Sequence, residues 1–254
     1  IFLSRYYSCP EWIVNLWLKA YGQEFTRQIL TQSIARPALG IRIDDSDECF
    51  DILLKKAADR GIILACQPPI IALRGPKSLI NQLLQHINYS RQSYAGQQVI
   101  LALEPETWPE PIWDACAGRG GKTFLLYRLG RKVIASDVHP GRIKGLKGMD
   151  SRLSADIPYF VGSALEPALK IRPSTILLDV PCSGLGVISR RPDIKWKRKP
   201  GHLRDFTLLQ RKILHCAARL LPSGGELIYV TCTLNPDENE GQIERLLKED
   251  KSLH

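Results

Sequence analysis

The chain has 254 residues, 44% hydrophobic and 24% charged, with a formal net charge of +9, a profile that fits one large globular domain or a large one with a small companion. It excludes a disordered or collagen-like chain, because there is no low-complexity tract or internal repeat, and a spanning helix, because no apolar run approaches about 18 residues. The positive balance makes a polyanion such as nucleic acid a natural partner.

The first residues, IFLSRYYSCPEW, carry a charge and a proline where a secretory signal keeps an apolar core, and a start at Ile rather than Met suggests an excised or partial chain. Helix signals run through PEWIVNLWLKAYG, residues 10–22. RPALGIRID, the helical segment DECFDILLKKAADRG and the apolar runs of IILACQPPIIALRG then read as a smaller α/β unit. NYSRQSYAGQQVILALEP, residues 88–105, reads as a connector with a helix before Pro105.

From Trp113 the pattern alternates. Short β-rich runs, IWDAC, KVIASD, PYFVG, TILLDV and GELIYVT, are separated by helical segments KTFLLYRLG, HPGRIKGLKG and LRDFTLLQRKILHCAARLL. This is the signature of a doubly wound α/β domain with a mostly parallel sheet. The fourth and fifth runs are continuously apolar, as central strands covered on both faces would be, and the carboxyl ends of the strands are the expected ligand site. We expect residues 1–90 to form the small domain and residues 91–254 the large one. A helix in EGQIERLLKEDKSLH should follow the fifth strand, and further strands of the sheet are expected to lie beyond this chain.

DACAGRGGKT, residues 114–123, follows a strand and opens a helix, so its backbone N–H groups suit a polar or anionic ligand. It misses the phosphate-loop pattern, because Cys116 stands where the first glycine should be. It misses the dinucleotide pattern, because Thr123 stands where the last should be. Asp137 ends the next strand, where a carboxylate can accept from ribose hydroxyls. A nucleoside without a pyrophosphate cradle fits, and S-adenosylmethionine is the candidate. The competing reading is a plain tight turn with Asp137 capping a helix and Lys122 in solvent.

Seven cysteines without a CxxC pair argue against a disulfide framework or a zinc site and fit a reducing cytoplasm. Cys9, Cys49, Cys66 and Cys216 read as small core residues, and Cys116 as packed within the glycine loop. Cys182, in LLDVPCSGLGV, and Cys232, in YVTCTLNP, differ: each follows a strand and precedes small or polar residues. Two thiols at neighbouring strand ends suit a reaction that needs a nucleophile. Carbon 5 of cytosine is too weak a nucleophile to take a methyl group directly, but addition of a thiolate to carbon 6 activates it. Asp179 is placed to protonate or hydrogen-bond ring nitrogen 3. Spacing alone leaves open which cysteine attacks.

These segments resemble the Nol/Nop/Sun family of RNA cytosine-5 methyltransferases, most closely its bacterial Sun/Fmu (RsmB-type) members, which modify small-subunit (16S) ribosomal RNA. DACAGRGGKT resembles the family's cofactor loop, LLDVPCSGLGVISRRPDIKW its Pro-Cys motif and YVTCTLNPDENEGQIERLL its Thr-Cys motif; YYSCPEWIVNLWLKAYG and RPALGIRID extend the likeness upstream. The resemblance implies a Rossmann-like class I methyltransferase sheet, S-adenosylmethionine as cofactor and RNA as partner; a monomer without a membrane partner is also expected. It implies that Cys232 is the nucleophile and that Cys182 assists release of the product. Cofactor contacts carry over to Cys116, Ala117, Gly118, Arg119, Gly120, Gly121, Lys122, Asp137 and Asp179. Two departures stand out: Gly118 and Arg119 replace the family's usual alanine and proline, and Ser163 replaces an acidic residue expected beside the adenine.

SRRPDIKWKRKPGHLR, residues 189–204, sets Arg190, Arg191, Lys195, Lys197, Arg198, Lys199 and Arg204 against one acid, Asp193. It starts just after the Pro-Cys loop and is the expected RNA surface, with Trp196 either stacking on a base or packing beneath the loop. Two other functions compete: a catalytically silent RNA-binding module, and a small-molecule methyltransferase, for which the basic run and paired cysteines would be unneeded.

Overall fold

The structure, a computed structural model, describes all residues from Ile1 to His254. In chain order its elements are α1 (Phe2–Tyr6), α2 (Glu11–Ile34), β1 (Leu39–Ile43), α3 (Asp47–Ala58), β2 (Ile63–Gln67), β3 (Ile70–Leu73), α4 (Lys77–Leu83), β4 (Tyr89–Arg91), α5 (Tyr94–Ala102), β5 (Ile112–Asp114), α6 (Gly121–Arg128), β6 (Val133–Asp137), α7 (Pro140–Leu153), β7 (Tyr159–Val161), β8 (Thr175–Asp179), α8 (Ile194–Lys197), α9 (Pro200–Leu220), β9 (Glu226–Val230) and α10 (Glu240–Glu249). Five strands, β5 to β9, make up a parallel sheet. With helices between them, this is the doubly wound, Rossmann-like class expected. No helix is long and apolar enough to cross a membrane.

The chain divides into two compact units, one of residues Ile1–Arg36 with Gly162–His254 and one of Pro37–Val161. In the first, β8 and β9 pair in parallel with Asp179 opposite Val230. β8 is almost wholly buried, as a central strand should be, whereas β9 pairs only with β8 and is half-buried along most of its length. The amphipathic α9 buries Gln210, Ile213, Leu214 and Ala217, a stripe at helical spacing. The leading helix α2 belongs to this unit. Ile13, Val14, Trp17 and Leu30 pack in one core with Cys9, Leu185, Ile188 and Ile194, the last three from just beyond the Pro-Cys segment. Gly22 has φ 73° and interrupts α2, and Thr26 Oγ1 donates to the Gly22 carbonyl at 2.7 Å as the helix resumes. The break falls where the sequence pattern ended the helix.

In the second unit an antiparallel sheet of order β2-β3-β1-β4 carries α3 and α4 over a core of Ile41, Ile43, Phe50, Leu53, Ile71 and Leu73. Ser46 caps α3 by accepting from Cys49 N–H, with Asp47 and Glu48 in the first turn and Lys55 and Lys56 in the last, which matches the helix dipole. β4 was not expected: Tyr89–Arg91 lies in the segment read as a connector, and its three residues are too few to show alternation. The same unit holds β5, β6 and β7, paired in parallel as β7-β6-β5.

A side chain at Gly40 on β1 would place its Cβ 2.3 Å from the Gln92 carbonyl oxygen and 2.5 Å from the Tyr94 nitrogen, both backbone atoms that cannot turn aside. Gly40→Ala should therefore destabilise by about 1–3 kcal/mol. Gly141→Ala, in α7, meets nothing within 4 Å and should stabilise by about 0.5–1 kcal/mol. Urea unfolding midpoints of the two variants check this; a Gly40→Ala midpoint equal to wild type would contradict the close approach.

Candidate active site

The glycine loop is built from the end of β5 and the start of α6. Asp114 at the end of β5 is buried and its Oδ2 accepts from Thr123 Oγ1 at 2.7 Å, which seats the helix over the strand. Ala117 N–H donates to the Ser136 carbonyl at 2.9 Å, and Trp113 Nε1–H donates to Ser136 Oγ at 3.0 Å. Gly118 and Gly120 have φ of 60° and 85°, in the left-handed region where glycine is at ease. At Gly120 a Cβ would lie 2.5 Å from the Phe124 ring, so no side chain fits. At Gly118 a Cβ would meet nothing within 4 Å: the loop faces open space there.

Asp137, at the end of β6, is 2% exposed and holds the loop in shape. Its Oδ2 accepts from Gly118 N–H at 3.0 Å, its Oδ1 accepts from His139 N–H at 2.8 Å, and Arg142 lies 3.2 Å from Oδ2. Arg142 also donates to Oδ1 at 3.4 Å, so the four acceptor directions of the carboxylate are taken, and the half-exposed Arg142 is the donor that a ligand hydroxyl would have to displace. Cys116 and Lys122 are half-buried, and the exposed Arg119 runs along α7, where a Cβ at Gly145 would lie 3.2 Å from its Cγ. The open face at Gly118, the backbone donors and the fixed carboxylate fit the sugar and polar tail of a nucleoside cofactor.

A second support of the loop was not foreseen. Arg42 on β1 is 1% exposed; its guanidinium donates to the Gly121 carbonyl at 3.2 Å, to Asp44 Oδ1 at 2.8 Å and to Ser90 Oγ at 3.2 Å. Asp44 also pairs with Arg152 at 2.7 Å. Burial pushes the Asp44 carboxyl up, but Arg42 and the hydrogen bonds from Ser90 and Arg152 outweigh it and hold the group below the usual carboxylate range. The antiparallel sheet is thus tied to the first residue of α6. A cavity of about 780 Å³ in this unit is lined by Pro111, Val133 and Pro158, at the amino ends of β5, β6 and β7, the end away from the glycine loop.

In the other unit, Asp179 ends β8 and Cys182 follows three residues later, while Cys232 follows the end of β9 by two. The parallel register brings the two sulfurs to 3.2 Å, and Cys232 N–H also points at the Cys182 sulfur at 3.3 Å. Cys232 is exposed and Cys182 is partly covered. The hydrogen bond to Cys232, then burial, then the charge of Cys232 push the Cys182 thiol far up. Cys182 is therefore held as a neutral thiol in contact with Cys232. Gly186 lies over the Cys232 backbone: its N–H donates to the Cys232 carbonyl at 3.0 Å, and a Cβ there would lie 2.9 Å from that oxygen. Gly184, at φ 76°, turns the chain between them. Tyr21 of α2 donates from its hydroxyl to the Leu234 carbonyl at 3.2 Å, so the leading helix braces the Thr-Cys loop.

Ser163 sits in a turn after β7, where its Oγ accepts from Leu165 N–H at 3.1 Å. The basic run divides into two kinds of cation. Lys195 is 8% exposed, with its ammonium 5.5 Å from the Trp196 ring centre, and Arg198 is half-buried, donating from Nε to the Ser183 carbonyl at 3.0 Å and lying over Phe206 at 4.8 Å. These two brace the loop instead of standing in solvent. Arg190, Arg191, Lys197 and Lys199 are exposed, with Lys197 paired to Asp193 at 2.8 Å. Trp196 is 63% exposed, so it does not pack beneath the loop.

Comparison with known proteins adds the lineage. The family model described as 16S rRNA methyltransferase RsmB/F matches residues 98–254. A protein described as probable ribosomal RNA small subunit methyltransferase B from Synechocystis sp. is 33% identical over 98% of this chain and 58% of its own length. The ribosomal RNA small subunit methyltransferase B of Pasteurella multocida is 32% identical over 94% of the chain and 56% of its own length. The chain thus spans less than three fifths of these curated relatives. Among solved structures, PH0851 superposes with a TM-score of 0.82 at 25% identity, over 98% of this chain and 58% of that one. NSun6 from Pyrococcus horikoshii, solved with SFG, superposes with a TM-score of 0.75 at 19% identity, over 94% and 87%, a likeness of fold. With more than half of its residues matched by the family model, the chain belongs to the 16S rRNA methyltransferase RsmB/F family.

Proposed function

We propose that the chain methylates carbon 5 of a cytosine in RNA, with small-subunit (16S) ribosomal RNA as the substrate, S-adenosylmethionine as the donor and a transient bond between Cys232 and the base. The observation that carries the reading is the pair of sulfurs at 3.2 Å, with the Cys182 thiol kept protonated beside Cys232. Family membership supports the donor and the substrate class.

The Cys232 sulfur adds to carbon 6, and the electron pair of the 5,6 double bond moves toward carbon 5. Asp179, at the end of β8, protonates or hydrogen-bonds ring nitrogen 3 and offsets the developing charge. S-adenosylmethionine, when bound, supplies the electrophilic methyl group that carbon 5 takes up. A base takes the proton from carbon 5, and the electron pair of that C–H bond restores the 5,6 double bond and expels the Cys232 sulfur. Cys182 assists this step by donating its S–H to the departing sulfur, a role that needs a neutral thiol in contact with it.

Backbone from Cys116 to Lys122 holds the donor, with Asp137 behind the loop and Ser163 at the adenine side. Arg190, Arg191, Lys197 and Lys199 meet phosphates, and the exposed Trp196 stacks on a base. The target cytosine leaves its stack, or lies in a loop, to reach the thiol. Residues 1–90 act as an accessory RNA-binding part and residues 91–254 as the transferase, a division by role that follows the start of the family match at residue 98 and not the two compact units, since α2 packs with residues 185–194. The seven thiols suit a reducing compartment, and we place the protein in the cytoplasm.

Cys232→Ala should abolish methyl transfer and spare cofactor binding, whereas Cys182→Ala should let addition occur and accumulate a covalent protein–RNA adduct on denaturing gels. Normal turnover by the second variant without an adduct contradicts its role. Calorimetry with S-adenosylmethionine tests the donor site. Asp137→Ala, which removes the acceptor of Gly118 and His139 N–H, should weaken binding roughly 10- to 100-fold. No heat of binding by the wild-type chain at millimolar cofactor would favour a silent RNA-binding module.

A further inference from the structure

Glu238 closes the short turn Pro236–Glu238 after the Thr-Cys loop and is 0% exposed. Its Oε2 accepts from Ser183 N–H at 2.8 Å and from Gln210 Nε2 at 3.0 Å, and its Oε1 accepts from Asn235 Nδ2 at 3.0 Å. All three partners are N–H donors, which an acceptor-only carboxylate satisfies and an amide does not. A buried carboxylate is retained only when hydrogen-bonded in this way.

The donors lie on both sides of the thiol pair. Ser183 follows Cys182, and Gln210 of α9 also donates to the Pro181 carbonyl at 3.0 Å, so the residues flanking Cys182 are both tied to this cluster. Asn235 lies three residues beyond Cys232, and the Tyr229 hydroxyl of β9 donates to the Glu238 carbonyl at 2.8 Å. Ser183 Oγ and Thr233 Oγ1 make a second link between the loops at 2.7 Å.

We propose that Glu238 is a positioning residue whose carboxylate clamps the Pro-Cys loop to the Thr-Cys loop and so sets the contact between the Cys182 and Cys232 sulfurs. The inference rests on the roles proposed above for those two thiols. With the clamp loosened, Cys182 no longer reaches the departing sulfur, and the enzyme stalls after addition.

The test uses the full chain as wild type, Glu238→Gln and Glu238→Asp, with Asn235→Ala and Gln210→Ala each removing one donor, so that loss of fold in one variant does not end it. Near-ultraviolet circular dichroism identifies the folded members. Without RNA, diamide oxidises neighbouring thiols to a disulfide, itself taking up two electrons and two protons, and peptide mapping reads the rate at Cys182–Cys232. Folded variants should cross-link more slowly than wild type. With RNA, Glu238→Gln should lose about 10²-fold in kcat with KM near wild type and should accumulate the same adduct as Cys182→Ala. Wild-type cross-linking and kcat in folded Glu238 variants, while Cys232→Ala is inactive, overturn the positioning role alone. Full activity in Cys232→Ala overturns the underlying reading instead, and the cross-linking rates still judge the clamp.

Discussion

Strands β8 and β9 run parallel with Asp179 opposite Val230, and the cysteines that follow them meet at a sulfur–sulfur distance of 3.2 Å. Two thiols so close share one proton more readily than they share two charges, and the contact with Cys232 together with burial keeps the Cys182 thiol neutral. The rest of the thiol site follows from holding that contact. Gly186 is glycine because the Cys232 carbonyl lies against it, and Arg198 and Gln210 are drawn inward to satisfy the carbonyls of the loop that carries Cys182.

The donor half of the chemistry is built on a different principle. No side chain there needs unusual reactivity; the requirement is a backbone held open. Asp137 does this by accepting from Gly118 N–H, Thr123 pins the start of α6 to Asp114, and Arg42 reaches from the antiparallel sheet to the Gly121 carbonyl. A buried guanidinium is expensive to desolvate and is supported here by Asp44, Ser90 and the backbone together.

Much of this was legible in the sequence, for physical reasons. Apolar runs of five or six residues between helical segments marked β6, β8 and β9, and the two cysteines stood out because each follows a strand. The existence of β4 depends on a neighbour, β1, that a local pattern does not show. Lys195 and Arg198 read as surface cations within a basic run, yet long side chains can lay their stems on apolar surface or turn to nearby carbonyls. Glu238 was hidden for the opposite reason: within NPDENE it looks like one acid of a solvated turn, and its burial arises only when two loops distant in sequence close on it.

The most direct measurement of the covalent route is to present the chain, with S-adenosylmethionine, with RNA that carries 5-fluorocytidine at the target. Fluorine cannot leave carbon 5 as a proton does, so a methylated adduct cannot collapse. Digestion and mass spectrometry should then find the nucleotide on the peptide that contains Cys232. Attachment at Cys182, or methylated product with no bond to either cysteine, would contradict the account.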